Sequence, residues 1–361
     1  MMRDIELVKS FGYYAFLRVP GIFWIWLLAN NRQELSYLAF GIASVISSLI
    51  VATFDSGSLV RAQVLTENQC KFYEKRRYLL TIVLLILAVL FSIFHNLIGI
   101  YFSIISAGEL AMNHYRQKWR KAKQVKLEQR LELMRQTLSV SLGTAVFFLT
   151  EDPNSAILAN ISIYLVFCGL LLKHGSILRN KGTDEGPRIS IYLDFNQFLG
   201  AIYQSIDVLL IGFLIGGNYA QDFAIYSLIF WYSTMPFQLM LNRIPVNEFS
   251  QFKQEMSMLR MLIPVACMGL LLTVQAMKLI DMTFTGILCI GVASFFRCFN
   301  WQYNIVLAIH QKYFRRGFNV SVAIMIKILS IFVLFDSKSF YFVILLSEAY
   351  LLTNRFARAD D

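Results

Sequence analysis

The chain has 361 residues, 57% of them apolar and only 16% charged, with a mean hydropathy of +0.56. Soluble domains are nearer about 25% charged, so a water-soluble globule with one core is excluded, and the short polar segments leave no room for a separate soluble domain. The net charge of +10 would suggest nucleic acid in a soluble protein, but here the surplus follows membrane topology and no nucleic-acid partner is expected.

A bilayer core takes about 20 residues of helix, range roughly 17–25. The apolar runs are too continuous for the alternating strands of a barrel, so the spans are helices, which satisfy their own backbone polar groups. The first span covers about 9–30. Arg3 and Lys9 precede it with no cleavage motif after, which marks it as an uncleaved helix. After a turn at Asn30-Asn31-Arg32 the second covers about 36–60, followed by a basic segment with Arg61, Lys71, Lys75, Arg76 and Arg77. The third and fourth, about 78–94 and 97–113, form a tight pair about His95-Asn96. The most basic segment, 114–135, lacks Gly and Pro and is expected to lie as a helix on anionic lipid headgroups. The fifth and sixth spans cover about 136–150 and 156–174, with Glu151-Asp152-Pro153 turning between them. A polar stretch with Gly175, Gly182, Gly186 and Pro187 follows. Six further spans come at about 191–215, 221–241, 258–276, 283–308, 317–335 and 340–354.

This predicts an all-α polytopic membrane protein of about twelve helices, with both termini cytoplasmic. Residues 1–174 form one six-helix lobe, 175–190 a cytoplasmic linker and 191–361 a second lobe. An even number of spans returns each half to the same side, as parallel repeats require. The charge map agrees. Of 33 Lys and Arg residues, 27 fall in segments on one side, as cytoplasmic loops require. Arg32, Lys278 and Lys338 fall on the other side, while Arg18, Arg297 and Lys327 fall inside apolar spans.

Charges inside spans cost roughly 2.5–3.5 kcal/mol each on insertion scales and mark function. Arg18 stands about ten residues into its helix, roughly 15 Å deep at 1.5 Å per residue. Asp207 lies two thirds of the way along its span, where a carboxylate must be paired, ion-bound or protonated. Lys327 and Glu348 reach similar depths on oppositely directed helices, which favours a Lys327–Glu348 pair. Arg297, with Asn300, Gln302 and Asn304, gives its helix a polar face that must look into a cavity or the bundle. The five cysteines include no C-x-x-C pair and read as small core residues, neither a disulfide framework nor a metal site. With no Walker motif and no H-E-x-x-H, no cofactor and no catalytic residue is expected.

Two segments carry a family resemblance. One is Gln204-Ser205-Ile206-Asp207, an apolar run to Ile211-Gly212 and on to Gly216, then Ala224-Ile225-Tyr226. The other is Thr53-Phe54-Asp55-Ser56-Gly57-Ser58-Leu59-Val60-Arg61. Together with the six-plus-six layout these resemble the polysaccharide-repeat flippases of the multidrug/oligosaccharidyl-lipid/polysaccharide exporter superfamily. The chain departs from that pattern in its short spans and in Leu35-Ser36-Tyr37, where the family has Gly-x-Tyr.

The resemblance implies a bacterial inner-membrane flippase that carries a polyprenyl-diphosphate-linked oligosaccharide by alternating access, with other glycan-assembly membrane proteins as partners. Arg18, Arg61, Arg243 and Arg297 are then the phosphate contacts, since the guanidinium fork matches phosphate oxygens. For Arg61 and Arg243 the alternative is snorkelling to the interface. Asp55 would orient Arg18 or Arg61, and Asp207 and Glu348 are candidate ion-coupling or structural carboxylates. The rivals are a multidrug exporter of the same superfamily, a membrane-embedded glycan polymerase or ligase, and a non-transporting scaffold.

Overall fold

The computed structural model describes residues 34–55, 67–122, 124–173, 190–214, 256–276, 282–309, 313–335 and 339–356, with scattered positions in 20–27 and 223–237. Among the described residues the chain is all helical, and it falls into two compact units that meet inside a helix, between Ala201 and Ile202.

The first unit contains α1 (Glu34–Phe54), α2 (Glu67–Ile93), α3 (Leu97–Lys121), α4 (Val125–Thr150) and α5 (Pro153–Leu172). α2 and α3 form a hairpin about His95-Asn96, as the sequence predicts. His95 takes a left-handed φ of 53°, and Asn96 caps α3 by accepting from the Gly99 N–H at 2.9 Å. α4 and α5 are joined the same way. Glu151 is left-handed at φ 54°, Asp152 accepts from the N–H groups of Asn154 and Ser155, and Pro153 opens α5. Asn96, Asp152 and Pro153 suit their positions, because an Asx side chain satisfies orphan helix donors and Pro lacks one.

α3 is the centre of this unit, packing on α1, α2, α4 and α5. It can, because its inward face is built of small residues: Ser103, Ser106, Ala107, Gly108 and Ala111 are all buried. Small side chains let membrane helices approach closely. At Gly108 the approach is closest, since a Cβ there would collide with the Tyr164 ring of α5.

The second unit takes α6 (Ser190–Leu214) from Ile202 onward, then α7 (Met256–Ala276), α8 (Phe284–Ile309), α9 (Tyr313–Val333) and α10 (Tyr341–Phe356). α8 packs on α7 and α10, and α9 on α10. The core between them is apolar, with Ile263, Cys267, Leu271, Ile290, Ala293, Ala323, Ile331, Val343 and Ile344 all buried.

Glu67–Ile93, Pro153–Leu172, Phe284–Trp301 and Phe314–Val333 are long and apolar enough to cross a bilayer. On α2 the side chains of Leu79, Val83, Ile86, Leu90 and Ile93 are exposed, while Arg77, Tyr78, Thr81, Leu84 and Ala88 are buried. An exposed apolar stripe of that length needs hydrocarbon around it. The chain is a multi-pass membrane protein.

One sequence expectation fails. Segment 114–135 is not a separate helix lying on the headgroups. Its described residues continue α3 as far as Lys121 and begin α4 at Val125. The reason is charge pairing across the hairpin. Arg116 of α3 donates to Glu132 of α4 at 2.5 Å and Arg120 of α3 reaches Glu128 of α4 at 2.6 Å, while Arg116–Glu109 at 2.8 Å and Arg135–Glu132 at 2.6 Å are pairs within α3 and within α4. The acids interleaved among the bases hold the two helices together past the apolar stretch. α2 likewise begins eleven residues before the predicted span, at Glu67 instead of 78.

Candidate functional site

Each unit buries charge, and the larger network lies in the second. Tyr203 and Asp207 are one turn apart on α6 and so share a face. Lys327 of α9 donates to Asp207 Oδ2 at 2.6 Å and to the Tyr203 carbonyl at 2.7 Å. The Tyr203 hydroxyl donates to Glu348 Oε1 of α10 at 2.9 Å and lies 2.9 Å from Ser347 Oγ. Arg297 of α8 completes the network from the other side, 3.2 Å from Glu348 Oε1. Asn300, three residues on, donates to Glu348 Oε2 at 2.7 Å and to the Glu348 carbonyl at 3.0 Å.

Tyr203 is therefore the hinge of the network, meeting one ion pair with its carbonyl and the other with its hydroxyl. The formal charges of Asp207, Glu348, Lys327 and Arg297 cancel. All four are at most 4% exposed. Aromatic faces finish the enclosure: the Arg297 guanidinium sits 4.2 Å from the Trp301 ring centre and 4.5 Å from Trp231, and Lys327 Nζ lies 4.3 Å from the Tyr203 ring. Such contacts are worth about 2 kcal/mol or more when desolvated.

In the first unit, Arg77 of α2 donates from Nε to Asp55 Oδ1 at 2.5 Å and from a terminal nitrogen to Gln117 Oε1 at 2.5 Å. Asn113 of α3 donates to Asp55 Oδ2 at 2.7 Å. Asp55 and Arg77 are both buried. A third cluster lies nearby on α3, α4 and α5. The Tyr164 hydroxyl accepts from Arg135 at 2.7 Å and donates to Glu109 at 3.1 Å, which ties α5 into the charged hairpin of α3 and α4.

Arg18, Arg61 and Arg243 lie outside the described residues. Asp207, Glu348, Lys327 and Arg297 are gathered into one network. The Lys327–Glu348 pair is corrected: Lys327 is held by Asp207, and Glu348 by Arg297. The polar face of Arg297 and Asn300 turns into the bundle. Arg297, expected as a phosphate contact, is enclosed by Glu348 and two indoles. Asp55 was expected to orient Arg18 or Arg61, and here it binds Arg77 and Asn113. Sequence reading counted Arg77 as a loop cation, because its run Lys75-Arg76-Arg77 looks solvated. The missed signal was that run's place on an unbroken helix, which turns Arg77 inward while Arg76 stacks on Phe54 at 5.2 Å. Tyr203 was missed because an aromatic in an apolar span carries no polar signal.

No family model matches the chain, and no curated protein does. A solved structure does, described as the outward-facing conformation of a multidrug resistance MATE family transporter of the MOP superfamily. The two superpose with a TM-score of 0.58 over 97% of this chain and 94% of that one, at 12% sequence identity. At that identity the likeness is one of fold: the chain is folded as a MATE-type transporter of the MOP superfamily is folded.

Proposed function

We propose that the protein is a transporter working by alternating access between two lobes, 1–174 and 191–361, joined by 175–190. Its cargo is an anionic lipid-linked molecule, in particular a polyprenyl-diphosphate-linked oligosaccharide. Both the fold and the motifs about Asp55 and Asp207 support transport.

One observation carries the choice of cargo. Each of the buried carboxylates Asp55, Asp207 and Glu348 is already matched by a cation of the same unit: Arg77, Lys327 and Arg297. A cationic drug needs an acidic partner that is not so matched, whereas Arg18 in the first apolar span supplies a permanent charge for a diphosphate. Arg61 and Arg243 are the further phosphate contacts on this reading. The glycan rides in a wet cleft and the lipid tail stays in the bilayer. The site of action is a bacterial inner membrane, alongside other glycan-assembly membrane proteins.

The test is flipping, or complementation of a flippase-deficient strain, with Arg18→Ala and Arg18→Lys. A diphosphate contact predicts loss in Arg18→Ala and partial function in Arg18→Lys; wild-type activity in both removes Arg18 from the mechanism. The second reading, a cation exporter, is favoured by the multidrug transporter whose fold the chain shares. It predicts efflux of a cationic dye that Asp207→Asn abolishes.

A further inference from the structure

Carboxylates buried at mid-span in a transporter are where a coupling ion is expected, and Asp207 and Glu348 are such carboxylates. What surrounds them points the other way. The Lys327 ammonium lies 2.6 Å from a carboxylate oxygen and 2.7 Å from a backbone carbonyl oxygen. Carboxylate and carbonyl oxygens are the donors a hard metal cation takes. The guanidinium of Arg297 lies 3.2 Å from Glu348 Oε1 and against aromatic rings, with Asn300 and Tyr203 filling the other positions about that carboxylate.

We propose that Lys327 and Arg297 are tethered counter-ions. They fill from within the positions that an exchangeable inorganic cation would take at Asp207 and Glu348, so this unit binds no Na⁺ there and its movements are not driven by one. The charge count requires it. Two carboxylates, one ammonium and one guanidinium sum to zero in a network that is at most 4% exposed. Adding Na⁺ leaves an uncompensated buried charge. Displacing Lys327 leaves an ammonium with a carbonyl and a ring face but no carboxylate. Removing one partner of a buried pair is strongly destabilising, so the ion has no low-energy way in. Tyr203 spans both pairs, so the two sites act as one unit. The inference extends the transport reading, but its test uses no cargo, so either can fail without the other.

The experiment is thermal unfolding of the purified full-length protein in NaCl against KCl at equal ionic strength. Wild type is expected to unfold at the same temperature in both. Lys327→Ala exposes the oxygen pair and is expected to gain a saturable, Na⁺-specific rise in Tm of about 2–4 °C. Lys327→Arg keeps a tethered charge and is expected to stay insensitive. Arg297→Ala repeats the test at Glu348 should Lys327→Ala fail to fold. A saturable Na⁺ response of the wild type that Asp207→Asn or Glu348→Gln abolishes overturns the proposal. So does a folded Lys327→Ala that shows no Na⁺ response.

Discussion

At the residue scale, the buried pairs decide most. Asp207 and Lys327 are each surrounded by protein, so the attraction between them offsets a large desolvation cost. Removing one partner strands the other. Lys327→Met is expected to destabilise by about 3–5 kcal/mol, and adding Asp207→Leu to recover most of that loss. Chemical unfolding of the two single mutants and the double mutant measures the coupling. If the singles cost nothing, or the double costs the sum of both, the ion pair is not as described.

Depth alone was legible here. Asp207 lies seven residues before the end of α6 at Leu214, Lys327 six before the end of α9 at Val333, and Glu348 seven after the start of α10 at Tyr341. With the helix directions expected from the topology, all three reach one level. Which acid meets Lys327 depends on which helix stands beside α9 and on the face each residue occupies. A single sequence carries neither. Arg297 meets Glu348 because α8 lies against α10 at this point, as the contact of the short Asn300 side chain with the Glu348 carbonyl shows.

At the scale of elements, local chemistry read best where a turn is tight. His95-Asn96 and Glu151-Asp152-Pro153 were legible because a cap or a left-handed residue needs particular side chains. The Asp152 carboxylate is held below the usual aspartate range, chiefly by the Ser155 hydroxyl and then by the Ser155 and Asn154 N–H groups. A group whose pKa is lowered on folding stabilises above its unfolded value and loses that contribution as pH falls through the folded one. Asp152→Ala is therefore expected to cost about 0.5–2 kcal/mol near neutral pH. The difference from wild type should shrink as pH drops below the carboxylate range. A cost that is independent of pH would mean that the cap does not act through its charge.

The α3–α4 hairpin was illegible for a physical reason. A basic helix on headgroups and a basic helix extending a span have the same composition, and only the pairing of Glu128 and Glu132 of α4 with Arg120 and Arg116 of α3 tells them apart. Packing at α3 and α5 makes a second element-scale prediction. Tyr164 cannot swing away from Gly108, because its hydroxyl is fixed between Arg135 and Glu109. Gly108→Ala is expected to lower stability by about 1–3 kcal/mol through overpacking. Gly269→Ala on α7, where a Cβ meets open space, should leave Tm unchanged or slightly raised. Equal effects at the two positions would contradict the close approach.

At the scale of the whole molecule, hydropathy made the all-helical membrane class plain, and among the described residues the apolar segments fall on helices. Function was less legible. A fold shared at 12% identity is compatible with several cargoes, and of the cations expected to meet a diphosphate only Arg61 closes one of the segments that carry the family resemblance. The pairing of Asp55, Asp207 and Glu348 with cations of their own units, on which the proposed choice of cargo rests, appears only once the helices are assembled.

The most direct test of this account is reconstitution of the purified protein in liposomes carrying a polyprenyl-diphosphate-linked oligosaccharide in the inner leaflet. The readout is the rate at which the glycan becomes accessible to an external glycan-cleaving enzyme. The account predicts protein-dependent exposure that falls to the empty-liposome rate in Arg18→Ala. Exposure no faster than in empty liposomes, alongside uptake or efflux of a cationic dye by the same protein, would contradict it.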